Sequence, residues 1–403
     1  MHDETPLIAL IAIGLGLAFT GGFIAVRLRL SPIIGYLLAG IVMGPYTPGF
    51  VGDARLAAEL ADIGVMLLMF GVGMHFSVAD LWAMRSVSVP GAVIQIAVAT
   101  ALGAGVAALW GWPFRAGLIF GLALSVASTV VLLRALESYR AVDTPDGKIA
   151  VGWLVVEDVV MILVLVLLPA FFGPTGGGTG APEPPGGGAV WLSLAMALGK
   201  VVVFICLMIV FGTRVFPWVL QQVERTGSRE LFTLAVVALA LGVAFGAAKL
   251  FGFSFALGAF FAGVVINQSD LHHRATAALQ PLQDAFGTLF FVAMGMLFDP
   301  MILVREPVKV LVVVAIIIIG KSLAAFGIVL ALRRPLSTAL LVSAALAQIG
   351  EFSFILAAMG VSYGLISHDA ENLVIAGALF SIILNSPIFH VVVRVRPVKA
   401  AAG

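Results

Sequence analysis

The chain has 403 residues, 61% of them hydrophobic and 11% charged, with a mean hydropathy of +1.15. A soluble domain carries about 25% charged residues, so this composition excludes one. Long apolar runs exclude a transmembrane β-barrel, which shows short alternating segments. A net charge of +1 supports no nucleic-acid or acidic partner. The expectation is an all-α, polytopic protein of a lipid bilayer.

A helix of about 20 apolar residues crosses a bilayer, and by that rule the chain reads as about thirteen spans. They cover roughly 7–28, 31–48, 54–76, 87–110, 114–137, 148–172, 189–222, 229–250, 253–267, 281–298, 307–332, 337–362 and 371–393. Pro32, Pro113, Pro281, Pro307 and Pro335 mark boundaries. The start, Met1-His2-Asp3-Glu4-Thr5-Pro6, lacks the basic region of a signal peptide, so the first span is expected to be retained. The single cysteine, Cys206, sits in an apolar run and reads as a small core residue.

Loop charge predicts orientation. With the spans alternating, about fifteen Lys and Arg fall on one side, among them Arg27, Arg85, Arg134, Arg225, Arg333 and Arg394. About five fall on the other: Arg55, Arg115, Lys249, Arg305 and Lys309. The N-terminus is therefore expected outside and the basic tail, 394–403, in the cytoplasm. The stretch 173–188, rich in Gly and Pro and without Lys or Arg, reads as an external flexible loop followed by a linker helix at 189–222.

On either side of that loop the chain resembles itself. Gly35-Tyr36-Leu37-Leu38-Ala39-Gly40 aligns with Gly258-Ala259-Phe260-Phe261-Ala262-Gly263 at a shift of 223. Asp62, Gly73, Met74 and Pro113 align with Asp284, Gly295, Met296 and Pro335 at 222. A constant shift over about ninety residues marks an internal repeat. It corresponds to seven spans, an odd number, so the second copy enters the membrane from the opposite side, as in secondary transporters. The expected repeats are 1–172 and 229–393.

Glu157 and Asp158 interrupt the apolar run 150–168, although a carboxylate at membrane depth costs about 2.5–3.5 kcal/mol on insertion scales. Two in a row call for a function. The repeat sets Ser125-Val126-Ala127-Ser128-Thr129 opposite Ala347-Gln348-Ile349-Gly350-Glu351. Paired small and polar residues in mid-span are where transporter helices break, freeing carbonyls and helix ends to line an ion site. Close packing of small residues explains Ser125 and Ser128 by themselves but not Glu351. Lys321 stands roughly 18 Å along its helix from Arg333, beyond the reach of snorkelling, so a buried partner is expected. Consecutive residues on a helix point about 100° apart, so one carboxylate can face an ion path while its neighbour faces a lysine on another helix; the expectation is Asp158 on the path and Glu157 toward Lys321. Burial favours the neutral form of a carboxyl group, so a proton and a cation can compete for one such site. Competition of that kind, combined with alternating access, is antiport.

These motifs, with Phe290-Phe291-Val292-Ala293-Met294-Gly295-Met296 and Gln348-Ile349-Gly350-Glu351-Phe352, resemble the monovalent cation:proton antiporter-2 family in its Kef-type branch over nearly the whole chain. The resemblance implies the inverted-repeat sodium/proton-exchanger (NhaA-like) fold with discontinuous crossing helices. Its moving core would be 87–172 and 307–393, and its scaffold 7–76 and 229–298. Asp158 matches the family's ion-binding aspartate, Thr129 and Ser128 its discontinuous-helix residues, and Lys321 its core lysine. The resemblance further implies a homodimer in a bacterial inner membrane, exchanging K+ (or Na+) for protons without a cofactor and without a metal beyond the transported cation. Glu157 departs from the pattern, since Kef members usually carry Gln there and electrogenic sodium exchangers Asp. Met74-His75 stands where many relatives have an acidic residue. Kef relatives often continue into a cytoplasmic nucleotide-binding regulatory domain, which the chain as given does not include. The rival readings are a K+ efflux channel, against which stands the lack of a Thr-Val-Gly-Tyr-Gly filter, an organic-anion symporter, and an intramembrane aspartyl protease.

Overall fold

The computed structural model describes residues 6–28, 30–75, 78–142, 144–172, 199–200, 202–253 and 255–395. The 173–188 loop, the first part of the 189–222 helix, Arg29 and the tail from Arg396 lie outside the described residues. Among those described, regular structure is helical throughout. The first half holds α1 (Pro6–Arg27), α2 (Pro32–Met43), α3 (Ala54–His75), α4 (Val78–Leu109), α5 (Phe114–Ser125), α6 (Thr129–Ser138) and α7 (Pro145–Phe172). The second follows with α8 (Val202–Glu224), α9 (Arg229–Phe251), α10 (Phe255–Asn267), α11 (His272–Leu297), α12 (Pro307–Ala331), α13 (Leu336–Ala345), α14 (Glu351–Ser362) and α15 (His368–Val395). Seven of these are long and apolar enough to cross a membrane, and α2, α5, α10, α13 and α14 are shorter apolar helices.

Proline and glycine set many of the ends. Pro32 and Pro307 open α2 and α12, where the fixed φ suits the first turn and the missing N–H has no helical acceptor to lose. Pro113 and Pro335 stand at the N-caps of α5 and α13. Gly252, at φ +75°, closes α9. The repeat is visible in these boundaries. Phe114 and Leu336 start α5 and α13, and Thr129 and Glu351 start α6 and α14, each pair 222 residues apart. Pro32 and Phe255 start α2 and α10, 223 apart.

By backbone contacts the chain forms two compact units. One comprises 1–54, 77–161 and 292–403, the other 55–76 and 162–291. In the first unit α2 lies against the end of α11, so close that a Cβ on Gly295 would stand 2.1 Å from the Leu37 carbonyl oxygen. In the second unit α10 lies against α3, and a Cβ on Gly73 would stand 2.1 Å from the Phe260 carbonyl oxygen. Leu37 and Phe260 are repeat equivalents, as are Gly73 and Gly295. Each repeat thus lends one helix to a glycine contact with the other, which explains why α3 groups with the second half.

The core of the first unit is apolar and joins several helices. Ala92 of α4, Leu132 and Leu136 of α6, Trp153 and Leu154 of α7, Ala325 and Val329 of α12, Leu341 and Val342 of α13, and Phe389 of α15 all pack in one buried cluster. Ala127, Ala345 and Leu346, where α5/α6 and α13/α14 are interrupted, belong to the same cluster.

Candidate ion site

Both interrupted helices belong to the first unit. α5 ends at Ser125, where Val126 turns extended (φ −103°, ψ 133°), and α6 restarts at Thr129. α13 ends at Ala345, and α14 restarts at Glu351 after an extended Gly350 (φ −136°, ψ −158°). An interruption strands N–H groups at the restart and carbonyls at the stop, and buried groups of that kind need partners.

Each break supplies partners for the other. The Ser128 N–H donates to Gln348 Oε1 at 2.9 Å, while Gln348 Nε2 donates to the Ser128 carbonyl at 3.1 Å. One side-chain amide therefore satisfies both backbone groups of Ser128. Gly350 lets the strands meet, because a Cβ there would stand 2.4 Å from Ser128 Cα. Ser128 also caps α6: its Oγ accepts from the Val131 N–H at 3.4 Å and donates to Glu351 Oε2 at 3.1 Å.

Three consecutive residues of the first break hold three carboxyl groups. The Ala127 N–H donates to Glu157 Oε2 at 2.8 Å, Ser128 to Glu351, and Thr129 Oγ1 to Asp158 Oδ2 at 3.2 Å. Glu157 is wholly buried, and Asp158 and Glu351 are 5% exposed. Glu157 Oε1 and Asp158 Oδ1 have no hydrogen-bond partner among the described residues. Asp158 also faces the N-terminus of α6, where the helix presents its positive end. No group of three or more His, Cys, Asp or Glu among the described residues is placed to hold a metal ion jointly.

Lys321, fully buried, donates to the Gln348 carbonyl at 2.9 Å and interacts electrostatically with Glu157. Its hydrogen bond therefore goes to the second break, with Glu157 opposite it across the site. The π-helical turn Ile316–Gly320 directly precedes it, and such a turn rotates the rest of the helix by an extra residue. Ser381 Oγ accepts from the Ile349 N–H at 3.4 Å, and Asn385 Nδ2 donates to the Ala344 carbonyl at 2.8 Å. Ser125 ends α5 with its hydroxyl turned back to the Leu122 carbonyl at 2.8 Å, so it does not reach the carboxyls. The sequence reading had no role for Gln95 and Trp153. A lone glutamine in the apolar stretch Val93-Ile94-Gln95-Ile96 was the available signal.

A cavity of about 890 Å³ runs along α6 from Val131 past Ala135 to Tyr139, starting two residues beyond Thr129. Asn385 and His390 of α15 line it from the other side, and the Tyr139 hydroxyl and His390 Nδ1 are 2.6 Å apart.

Two helices broken at repeat-equivalent points, crossing at a buried aspartate, define a secondary transporter of the inverted-repeat cation/proton-exchanger fold. The fold of the sodium proton antiporter MjNhaP1 from Methanocaldococcus jannaschii matches at a TM-score of 0.72, with 17% identity, over 96% of this chain and 97% of that one. The chain belongs to the sodium/hydrogen exchanger (transmembrane) family, whose profile matches residues 15–395. It is 55% identical over 389 residues to the putative cation/proton antiporter YbaL of Escherichia coli, covering 96% of this chain and 69% of YbaL. It is 32% identical over 376 residues to K(+) efflux antiporter 4 of Arabidopsis thaliana, covering 93% of this chain and 62% of that protein. These are transporters rather than enzymes, and the protein is a multi-pass membrane protein of the cation/proton antiporter kind.

Proposed function

We propose that the chain exchanges K+, or Na+ less favourably, for protons by elevator-type alternating access. The observation that carries this reading is Asp158: buried, anchored by Thr129 through one oxygen, and with the other oxygen unpartnered beside two helix breaks. A proton or a dehydrated monovalent cation can each satisfy that oxygen, and both cannot do so at once. The preference for K+ is supported by the name of the plant relative. Thr129 and Ser128 complete the ion site, while Gln348, Gly350 and Glu351 shape the crossing and Lys321 balances Glu157. Residues 87–172 and 307–393 form the moving core, and 7–76 and 229–298 the dimerising scaffold. The excess of Lys and Arg on one side supports an external N-terminus and a cytoplasmic C-terminus in a bacterial inner membrane. On that orientation the cavity along α6 is the cytoplasmic approach to Asp158. A nucleotide-binding regulatory domain following the basic tail would act on the core from that side.

Proton flux into proteoliposomes under opposing gradients of lithium, sodium, potassium or rubidium tests this. The expected result is pH-coupled flux, strongest with potassium and lost in Asp158→Asn while the variant stays folded. Potential-driven cation flux indifferent to the proton gradient would overturn exchange in favour of a channel.

A further inference from the structure

Gln95 sits on α4, wholly buried in an otherwise apolar stretch. A primary amide in such surroundings is costly unless both its ends are bonded. Here Nε2 donates to the Ser125 carbonyl at 3.0 Å, and Oε1 accepts a longer contact, 3.5 Å, from Trp153 Nε1. Ser125 is the last residue of α5, so the glutamine satisfies a carbonyl that the break leaves without a helical donor. Trp153 lies on α7 one helical turn before Glu157, and its indole N–H also interacts with the Glu157 carboxyl.

Gly91, one turn before Gln95 on α4, makes room for the indole ring: a Cβ there would stand 2.2 Å from Cζ3 of Trp153. Gly91 and Gln95 thus form one socket, the first receiving the ring and the second its N–H. Trp153 is completely buried in that socket. From the stop of α5 the hydrogen bonds run through the Gln95 amide to the Trp153 indole, and one turn further along α7 Glu157 is tied back to the break by the Ala127 N–H. Asp158 follows Glu157 directly and Thr129 stands two residues after Ala127, and the hydrogen bond between Thr129 and Asp158 defines the candidate ion site. The second half has no copy of the device, because the repeat equivalent of Gln95 is Ile317.

We propose that Gln95 is a positioning residue for exchange, fixing the open end of α5 against the carboxylate turn of α7 so that Thr129 and Asp158 stay in register. This rests on the exchange reading above. A glutamine that only capped a helix end would affect stability and leave the ion site untouched.

The test uses the full chain in proteoliposomes, with the KM for K+, the pH profile of exchange and the melting temperature measured together. Gln95→Met keeps the length and volume of the side chain while removing its donor and acceptor. It is expected to raise the KM about three- to tenfold and shift the pH profile, with the maximal rate within about twofold of the parent. Trp153→Phe should shift both readouts in the same direction, and the double variant should fall short of the sum of the two. An unchanged KM and pH profile in folded Gln95→Met overturns the proposal, and so does strict additivity with Trp153→Phe. Should Gln95→Met fail to insert, Trp153→Phe decides by the same two readouts. A parent protein without exchange would refute the exchange reading itself, whereas an active parent matched by Gln95→Met refutes only the positioning role.

Discussion

The two interrupted helices start from equivalent residues and end up with different work. The first break, 126–128, is lined by acid: Ala127, Ser128 and Thr129 each hold one carboxyl group. The second, 346–350, is tied down by donors and small hydroxyls. Lys321 holds the Gln348 carbonyl, Asn385 the Ala344 carbonyl, Ser322 the Ser343 carbonyl at 3.1 Å, and Ser381 the Ile349 N–H. The sequence divergence behind this is small. At the repeat shift of 222, Glu157 and Asp158 become Leu379 and Phe380, and Lys321 becomes Ala99. The first half carries the Glu157–Asp158 pair, and the second carries Lys321 together with Glu351, whose repeat equivalent is Thr129. A symmetric backbone thereby carries an asymmetric polar centre, and on the proposed exchange reading one break faces the ion while the other braces it.

That contrast can be broken by substitution. Lys321→Met should have the largest effect on stability, about 3 kcal/mol, because it removes the ammonium opposite Glu157 and the donor to Gln348 at once. The check is the thermal midpoint of the detergent-solubilised protein, and an unshifted midpoint would remove Lys321 from the brace. Gly350→Ala comes next. Its methyl group would meet the Ser128 backbone, which cannot swing away as a side chain can, and a loss of about 1–3 kcal/mol together with slower exchange is expected. Thr129→Val should have the smallest effect and of a different kind. It removes the hydroxyl that holds Asp158, so cation affinity should fall about three- to tenfold while the melting temperature holds. If Thr129→Val instead lowered stability as Gly350→Ala does, the division between an ion-facing break and a brace would be wrong.

Much of this arrangement was legible before any coordinates. Charge at membrane depth is costly enough that Glu157, Asp158 and Lys321 stand out by their position within apolar runs, and the constant shift between the halves pairs the two interrupted stretches. Less could be read of the partners. That Ser128 would receive Gln348 through both backbone groups depends on how two strands meet, and spacing along one strand carries no information about the other. The grouping of α3 with α10 across the halves is similar. Gly73 and Gly295 were visible as repeat partners, yet which helix each glycine admits is decided by packing. Gln95 and Trp153 show the same limit, since a single buried glutamine looks alike whether it caps a helix or positions a site.

On the proposed exchange mechanism one proton and one cation contend for Asp158. Proton release from weakly buffered, detergent-solubilised protein on addition of KCl, measured against choline chloride, tests it most directly. Mass action requires that a cation binding where a proton sits must liberate that proton. Release is expected to saturate with potassium in the parent protein and to disappear in Asp158→Asn. Release that persists in Asp158→Asn, or potassium binding to the parent with no proton released, would contradict it.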